Sequence, residues 1–564
     1  MRCSYPTPPS AAEPVSAPAA PEEEGTQVTT TGERAGAQPP GGGRTLFVRN
    51  ATGLVRELSA FDAFNLVFSA VLIPVGITEV MAFTPMFWPH ANMLLSFLFA
   101  TPLVLTCGLV YLYFTVIMPR SGGDYVWVSR TLNPFLGFFV NFSLTFVFLT
   151  WIAFNFTYML SVMGPALAYV AGWHSSALTS PSNGEMMVIA TVLTAAFTLL
   201  MVFGVRAVAR YMVVTFAIVW LGMIIWLILM AVGSHGHFVA SWNAHSGTTY
   251  NAIISKARGL GFSSAGGIGW TATLFGMIYC FQVYTGFQWT GYFAGEIRNV
   301  RRTATTSILG ALLVSAIGYV AGVGLIYKYF GFKFFGASIF MGLGGGASHW
   351  NLKFLPYLPS LVNFLPGPQW LLVFVALCFV ISILWWTPTG FLLGTRNMFA
   401  WSFDRLAPEK LTTVSERFHT PVIATVVVGC VVELLNYLNI YQGLGAYLLN
   451  IIAVMGVAFI IVSLAAAAMP WRRPQMHGQG PGWAKARVGT VPVITIVAAI
   501  SAISWGFVIY VAFHTGFGGT FGLKPMVEAF TAPVIGIVYY IGVRLYRRHQ
   551  GMRFTQTFAE IPPN

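Results

Sequence analysis

Charged residues are scarce in this sequence. Only 8% of its 564 residues are charged and 56% are hydrophobic, whereas soluble globular proteins carry roughly 25% charged residues because water must solvate their surface. No Asp, Glu, Lys or Arg occurs in 131–184, 211–255 or 259–295. A membrane-spanning helix needs about 20 apolar residues, so each stretch has room for one or two. The composition excludes a soluble protein and indicates a membrane protein.

Three further features are missing. The apolar runs do not alternate with polar residues as barrel strands do, which favours helices. Cysteine is rare, with Cys3 near the start and the other four inside apolar runs, which excludes a disulfide framework and a metal-ligand pattern. The net charge is +13, but the basic residues lie in small groups between apolar segments, as topology determinants do. We therefore expect no nucleic-acid partner, no metal and no cofactor.

The chain divides into a tail and one membrane domain. Residues 1–50 are rich in Pro, Ala, Gly, Ser, Thr and Glu, too polar to form a core, and are predicted to be a disordered cytoplasmic tail. Residues 55–550 are predicted to form a single transmembrane domain, and 551–564 a cytoplasmic C-terminal tail.

Hydropathy predicts about twelve transmembrane helices. An even count places both termini on one side of the membrane. With the termini in the cytoplasm, all but six of the 30 Lys and Arg residues lie inside, as the positive-inside rule requires. We therefore expect a multi-pass protein of the cell membrane with both termini cytoplasmic. The predicted spans are 59–83, 93–118, 134–160, 186–204, 211–233, 267–294, 304–328, 368–394, 421–439, 443–469, 490–513 and 530–547.

Two of these spans carry helix-breaking residues near the middle. Residues 73–76 (Ile-Pro-Val-Gly) interrupt span 1, and 284–288 (Tyr-Thr-Gly-Phe-Gln) interrupt span 6. Interrupted helices at matching positions of two halves are typical of inverted-repeat transporters. The fold prediction is an all-α membrane protein with a 5+5 inverted repeat. Its parts are repeat one at about 57–233, repeat two at about 267–469 and two extra helices at about 490–547.

Four segments resemble the amino acid–polyamine–organocation superfamily, and its amino acid permeases in particular. They are PRSGGDYVWVSR at 119–130, YTGFQWTGYFAGEIRNVRR at 284–302, TRNMFAWSFDRLAPEKL at 395–411 and His-Thr-Pro at 419–421. The resemblance covers about 55–470. It implies a secondary transporter that moves amino acids by alternating access and needs no catalytic residues.

The resemblance also implies a substrate site at the two interruptions. Broken helices expose partial charges, so free amides can bind a carboxylate and free carbonyls an ammonium. The carboxylate is expected at Val75, Gly76 and Ile77. The ammonium is expected at the backbone of Tyr284, Thr285 and Gly286. The side-chain pocket is expected at Phe287, Gln288 and Trp289. Pro74 stands where the family usually has glycine, and removes one amide.

Six residues are candidates for coupling or gating. Glu79 lies about one turn beyond Gly76 and could bind a proton or an amine; the alternative is an interfacial residue. Hydroxyls in span 8 could complete a Na⁺ site, or simply bond back to helix carbonyls. Charges at cytoplasmic helix ends are interpreted as gate or packing charges. Either H⁺ or Na⁺ is a possible coupling ion. Besides Glu79, the candidates are Thr387, Thr389, Arg120, Asp124 and Glu296.

Several functions remain as alternatives. Gln288 and the few membrane carboxylates favour a neutral amino acid over a polyamine, but a polyamine or organic amine carrier and an exchanger of the same fold stay open. A membrane enzyme would need clustered His, Asp or Cys at one depth, and no HExxH motif or carboxylate pair is present. A channel would need a polar pore helix or a repeated filter loop. The expected partners are a small-molecule substrate and the lipid bilayer.

Overall fold

The computed structural model of the chain describes residues 58–71, 73–262, 268–415, 417–444, 448–515, 523–551 and 558. The predicted tail at 1–50 and most of 551–564 lie outside the described residues.

Helices α1–α11 precede residue 262. A π-helical turn, Met159–Met163, joins α5 to α6. The bounds are α1 Ala60–Val71, α2 Ile73–Phe87, α3 Met93–Ile117, α4 Asp124–Thr131, α5 Pro134–Tyr158, α6 Gly164–Ala171, α7 Ser176–Thr179, α8 Asn183–Val202, α9 Val205–Val232, α10 His235–His245 and α11 Tyr250–Gly259.

Helices α12–α24 follow. Strands β1 (Arg487–Val488) and β2 (Val491–Pro492) pair antiparallel as a short hairpin. The helix bounds are α12 Trp270–Tyr284, α13 Trp289–Tyr292, α14 Val300–Thr305, α15 Ala311–Phe330, α16 Phe332–Leu343, α17 Leu358–Leu361, α18 Gln369–Phe403, α19 Val422–Gln442, α20 Leu448–Arg472, α21 Pro474–Gly478, α22 Gly482–Lys485, α23 Val493–His514 and α24 Leu523–His549. Single turns of 3₁₀ or π helix occur at Ala294–Glu296, Thr306–Gly310, Ala347–His349, Val362–Phe364 and Glu409–Thr412.

Within the described residues, eleven helical segments are long and apolar enough to cross a membrane, with α1–α2, α5–α6 and α14–α15 each counted as one. The sixth predicted span, 267–294, falls on α12 and α13. A turn separates these two helices, so neither reaches spanning length. The prediction of an all-α membrane protein is confirmed. The inverted repeat remains a prediction.

Several long helices begin at capping residues that the sequence supplies. Asn92 and Asn133 accept hydrogen bonds from backbone amides in the first turns of α3 and α5. Before α8, the Ser182 hydroxyl accepts from the Glu185 amide, and the Glu185 carboxylate accepts from the Ser182 amide. Caps of this kind satisfy amides that have no partner inside the helix.

Burial identifies the centre of the bundle. In the most apolar stretch of the α1–α2 span, 88% of the residues are buried, whereas the share in α8 is only 28%. Helix α8 turns apolar side chains such as Val188, Val192 and Leu199 outward, as a lipid-facing helix does. Helices α1 and α2 therefore lie at the core, in contact with α12, α15 and α18.

One end of the bundle is tied together by the chain around Leu58. The Leu58 amide donates to the Glu296 carbonyl at 3.1 Å, and the Arg298 amide donates to the Leu58 carbonyl at 3.2 Å. The start of α1 and the segment after α13 therefore meet. We call this end of the bundle, where α1 begins, the proximal end.

Candidate functional site

The predicted interruption of span 6 is present. Helix α12 ends at Tyr284, and a turn over 285–288 leads into α13. Gly286 has a φ of +154°, a backbone conformation that favours glycine. Its amide donates to the Gln288 side-chain oxygen at 2.9 Å, and a Cβ at this position would lie 3.1 Å from the Cβ of Ala70. The glycine thus lets the turn touch α1.

The interruption of span 1 differs from the prediction. Residues 73–76 are helical and form the first turn of α2, so the expected break does not lie there. Helix α1 is described to Val71 and α2 from Ile73; Leu72 lies outside the described residues. The carbonyl of Val71, the last residue of α1, accepts a 2.8 Å hydrogen bond from the Tyr319 hydroxyl. A Cβ at Gly76 would lie 2.3 Å from that hydroxyl oxygen, so glycine is needed for this contact.

A cavity of about 50 Å³ lies where these helices meet. This volume accommodates a few water molecules. Aromatic rings form much of its wall: the Trp289 ring lies 5.1 Å from that of Phe148 and 6.3 Å from that of Trp386. The lining residues are Ala70, Val71, Val75, Gly76, Glu79, Phe148, Trp151, Asn155, Gln282, Val283, Thr285, Trp289 and Trp386.

Four of the nine residues predicted to bind substrate line this cavity, namely Val75, Gly76, Thr285 and Trp289. The other five make contacts outside the lining. Ile77 packs on Gly322 of α15, and the Tyr284 hydroxyl bonds to that of Thr101 at 2.8 Å. Phe287 packs between the rings of Tyr111 and Phe459. Gly286 and Gln288 bond to each other within the turn.

Glu79 lines the cavity from the second turn of α2, with 5% of its surface exposed. Its Oε1 atom has no hydrogen-bond partner among the described residues. Glu79 therefore borders the same space as Gly76 and Thr285, away from the surface of the bundle.

The two hydroxyls of α18 lie outside the cavity lining. Thr387 donates to the Ile383 carbonyl at 2.8 Å, the ordinary back-bond of a threonine in a helix. The Thr389 hydroxyl lies 2.9 Å from that of Ser69 in α1. Thr389 therefore joins α18 to α1, whereas the Thr387 hydroxyl donates its hydrogen bond within α18.

Asp124 is fully buried at the proximal end, where it connects three spans. Its carboxylate accepts hydrogen bonds from the Tyr292 hydroxyl at 2.7 Å, the Asn141 amide at 2.6 Å and the Tyr111 hydroxyl at 3.2 Å. Burial raises the pKa of the Asp124 carboxyl to about 6, although these hydrogen bonds act in the opposite direction. Asp124 thereby ties α13 to α3 and α5. Arg120, four residues earlier, is half-buried and donates to the Pro119 carbonyl at 3.2 Å.

Two buried ion pairs also lie at the proximal end. Arg396 of α18 binds the Glu296 carboxylate with Nε and Nη2, at 2.6 and 2.9 Å. Arg130 of α4 approaches the Asp404 carboxylate to 2.7 Å, and the ring of Phe558 lies 4.9 Å from its guanidinium carbon. Glu296, one of the charges predicted to serve in gating or packing, thus joins the segment after α13 to α18. Arg130 and Asp404, which were not among those predictions, join α4 to the residue that follows α18.

Comparison with known proteins agrees with the resemblance seen in the sequence. A family model of amino acid permeases matches residues 58–538. The chain belongs to the amino acid permease family. The permease is also 25% identical over 439 residues to the branched-chain amino acid permease BcaP of Bacillus subtilis (strain 168), a match that covers 75% of this chain and 83% of BcaP. Family membership identifies the chain as a transporter rather than an enzyme.

The cavity of this permease includes two polar residues that sequence reasoning missed. Asn155 of α5 and Gln282 of α12 both line it, and each has a side-chain oxygen without a partner among the described residues. A polar amide inside a charge-free apolar stretch was the available signal. Which helix face it occupies depends on tertiary packing, so the sequence does not distinguish such a residue from one that bonds to its own helix.

Proposed function

We propose that this permease is a secondary carrier that moves neutral amino acids across the cytoplasmic membrane by alternating access. The observation that carries the proposal is the cavity at the break of α12 and α13, walled by Phe148, Trp289 and Trp386. Small-molecule sites are mostly apolar with a few polar groups that fix orientation. Aromatic walls suit an uncharged, apolar substrate side chain.

The substrate carboxylate is proposed to bind at the first turn of α2. This binding mode requires a helix break between Val71 and Ile73, since amides at a helix N-terminus have no partner within the helix and the helix dipole attracts an anion there. Pro74 has no amide hydrogen, and Val75 and Gly76, which follow it, both line the cavity. The indole nitrogen of Trp289, also in the lining, has no partner among the described residues and is a second donor for the carboxylate.

Alternating access is supported by the size of the cavity and by the proximal contacts. A cavity that holds a few waters must widen to load an amino acid, so the surrounding helices have to separate. Asp124, Arg130 and Glu296 hold the proximal end closed through buried partners. With both termini in the cytoplasm, as the distribution of basic residues favours, these contacts form the cytoplasmic gate, and either H⁺ or Na⁺ drives its cycle.

Uptake of labelled amino acids into proteoliposomes tests the proposal. The panel starts with leucine, isoleucine and valine because the relative BcaP is a branched-chain permease, and imposed H⁺ and Na⁺ gradients identify the driving ion. Gly76→Leu should abolish uptake, because a Cβ there meets the Tyr319 hydroxyl. Gly324→Leu is the matched control, since a Cβ at Gly324 meets nothing within 4 Å. A folded wild-type protein that transports no amino acid in any gradient refutes the proposal.

A further inference from the structure

Three oxygens in the cavity lining have no hydrogen-bond donor in the part of the chain that the structure describes. They are Oε1 of Glu79, Oδ1 of Asn155 and Oε1 of Gln282, each without a partner among the described residues. The three side chains come from α2, α5 and α12 and are 5%, 3% and 5% exposed. An unsatisfied polar atom in a buried site is costly, and an unpaired carboxylate in a membrane core is more so. Buried, unpaired oxygens grouped in this way are typical of a ligand-binding site.

A group that donates hydrogen bonds and carries positive charge complements these oxygens. A primary ammonium has three N–H donors and no acceptor, which matches one carboxylate and two amide oxygens. Side chains in a helix lean toward its N-terminus, so the Glu79 carboxylate leans toward the turn that contains Val75 and Gly76. An ammonium near Glu79 is therefore close to a carboxylate bound at that turn, as in one amino acid.

We infer that Glu79, Asn155 and Gln282 form an acceptor subsite for a primary ammonium group. If the proposed function holds, this subsite binds the amino group of the transported amino acid, in place of the backbone carbonyls of the α12–α13 turn. The same subsite accepts an amine without a carboxylate, so an organic amine is the other source of the group.

Inhibition of labelled leucine uptake in proteoliposomes distinguishes these sources. Isoamylamine keeps the ammonium and side chain of leucine but lacks the carboxylate, and N-acetylleucine keeps the carboxylate but lacks the ammonium. We expect isoamylamine to compete and N-acetylleucine not to compete. Glu79→Gln should raise both the KM for leucine and the inhibition constant of isoamylamine about tenfold or more, since hydrogen bonds to charged groups are the strong ones.

Two further variants complete the test. Gln282→Leu should also raise the KM for leucine and the inhibition constant of isoamylamine. This second variant keeps the test valid if Glu79→Gln does not fold. Glu433→Gln is the matched control: Glu433 is another carboxylate within a predicted span, but it bonds to Thr191 and Asn436 and is not among the cavity-lining residues. Binding is also followed by thermal stabilisation of the detergent-solubilised full chain, which depends on ligand affinity and not on transport.

The outcomes separate the subsite from the proposed function. If Glu79→Gln and Gln282→Leu leave both constants within about twofold of wild type, the subsite is refuted while leucine transport stands. A second outcome is that the wild-type protein transports no amino acid while isoamylamine stabilises the wild type but does not stabilise Glu79→Gln. That result supports the subsite and refutes the proposed function. If NaCl stabilises wild type through Glu79 and isoamylamine does not, the site binds sodium and the ammonium proposal is refuted.

Discussion

Arg396 and Glu296 form a two-point ion pair inside the bundle, with nitrogen–oxygen distances of 2.6 and 2.9 Å and side chains that are only 1% and 3% exposed. The pair joins the last third of α18 to the segment that follows α13. A two-point guanidinium–carboxylate contact fixes orientation as well as distance. The link between α18 and the broken helix is therefore specific in geometry.

Removing one partner of this pair should destabilise the protein strongly. Arg396→Met leaves the Glu296 carboxylate buried without its cation, which costs about 3–5 kcal/mol for pairs of this kind. We expect a lower unfolding temperature for Arg396→Met and a substantial recovery when Glu296→Leu is added, because an apolar pair leaves no buried charge. Glu409→Gln is the control: its contact with Arg405 is 3.4 Å long and Glu409 is 65% exposed, so the change should cost about 1 kcal/mol or less. Equal effects of Arg396→Met and Glu409→Gln would contradict this prediction.

The contact between Gly76 and Tyr319 predicts a rescue. Gly76→Ala places a Cβ at 2.3 Å from the Tyr319 hydroxyl oxygen and should displace it from the Val71 carbonyl, with loss of most uptake. Adding Tyr319→Phe removes the clashing oxygen, so the double variant should regain part of that uptake. The measurement is initial uptake rate per folded protein in proteoliposomes. A double variant no better than Gly76→Ala would show that crowding at Tyr319 is not the cause.

Gly286→Ala should impair both stability and transport. The residue adopts a φ of +154°, and its Cβ would press on Ala70 at 3.1 Å. Strained backbone conformations cost about 1–3 kcal/mol, and the turn would also be pushed away from α1. Gly247→Ala has a φ of +83° but meets nothing within 4 Å, so it isolates backbone strain from crowding. We expect the unfolding temperature to fall for both variants and the uptake rate to fall for Gly286→Ala alone. Normal uptake in Gly286→Ala would contradict the role of the turn.

Asp124 predicts a pH dependence of stability. Its folded-state pKa is raised from 3.8 to about 6 by burial, so the folded protein holds this proton more tightly than the unfolded chain. The stability that this carboxyl contributes is fully present below about pH 4 and is lost as pH rises through about 6, a change of about 3 kcal/mol.

Asp124→Asn removes the titrating group while keeping the shape of the side chain. The unfolding temperature of wild type should fall more between about pH 4 and 7 than that of the variant. Parallel pH profiles for the two proteins would show that Asp124 does not titrate in this range. Because Asn also alters the hydrogen bonds to Tyr111 and Tyr292, the slope with pH is the informative quantity, not the absolute stability.

Eleven of the twelve predicted spans fall on helices long and apolar enough to cross a membrane, and the errors of the prediction have physical causes. Helix α3 occupies Met93–Ile117, against a prediction of 93–118. The eighth span was expected to end at 394, but α18 continues to Phe403. The prediction stopped short of Arg396, and the helix continues because Glu296, which is 100 residues away in sequence, neutralises this charge. Hydropathy does not register a distant partner.

The candidate site was predicted in part. The glycine of the turn at 285–288 and the lining position of Glu79 followed from sequence. The break expected at 73–76 did not, because these four residues are helical. Asn155 and Gln282 were missed because the side-chain oxygens of Glu79 and these two amides share a cavity only after three separate helices pack.

The sequence by itself determined the class of fold and the family. Apolar length, scarcity of charge and local motifs are properties of continuous segments, and the membrane selects on them segment by segment. Tertiary structure decided which helix faces turn inward, which charges pair, and which polar atoms face the same cavity without a partner. Those properties depend on distances between residues far apart in sequence, which arise only when the helices pack.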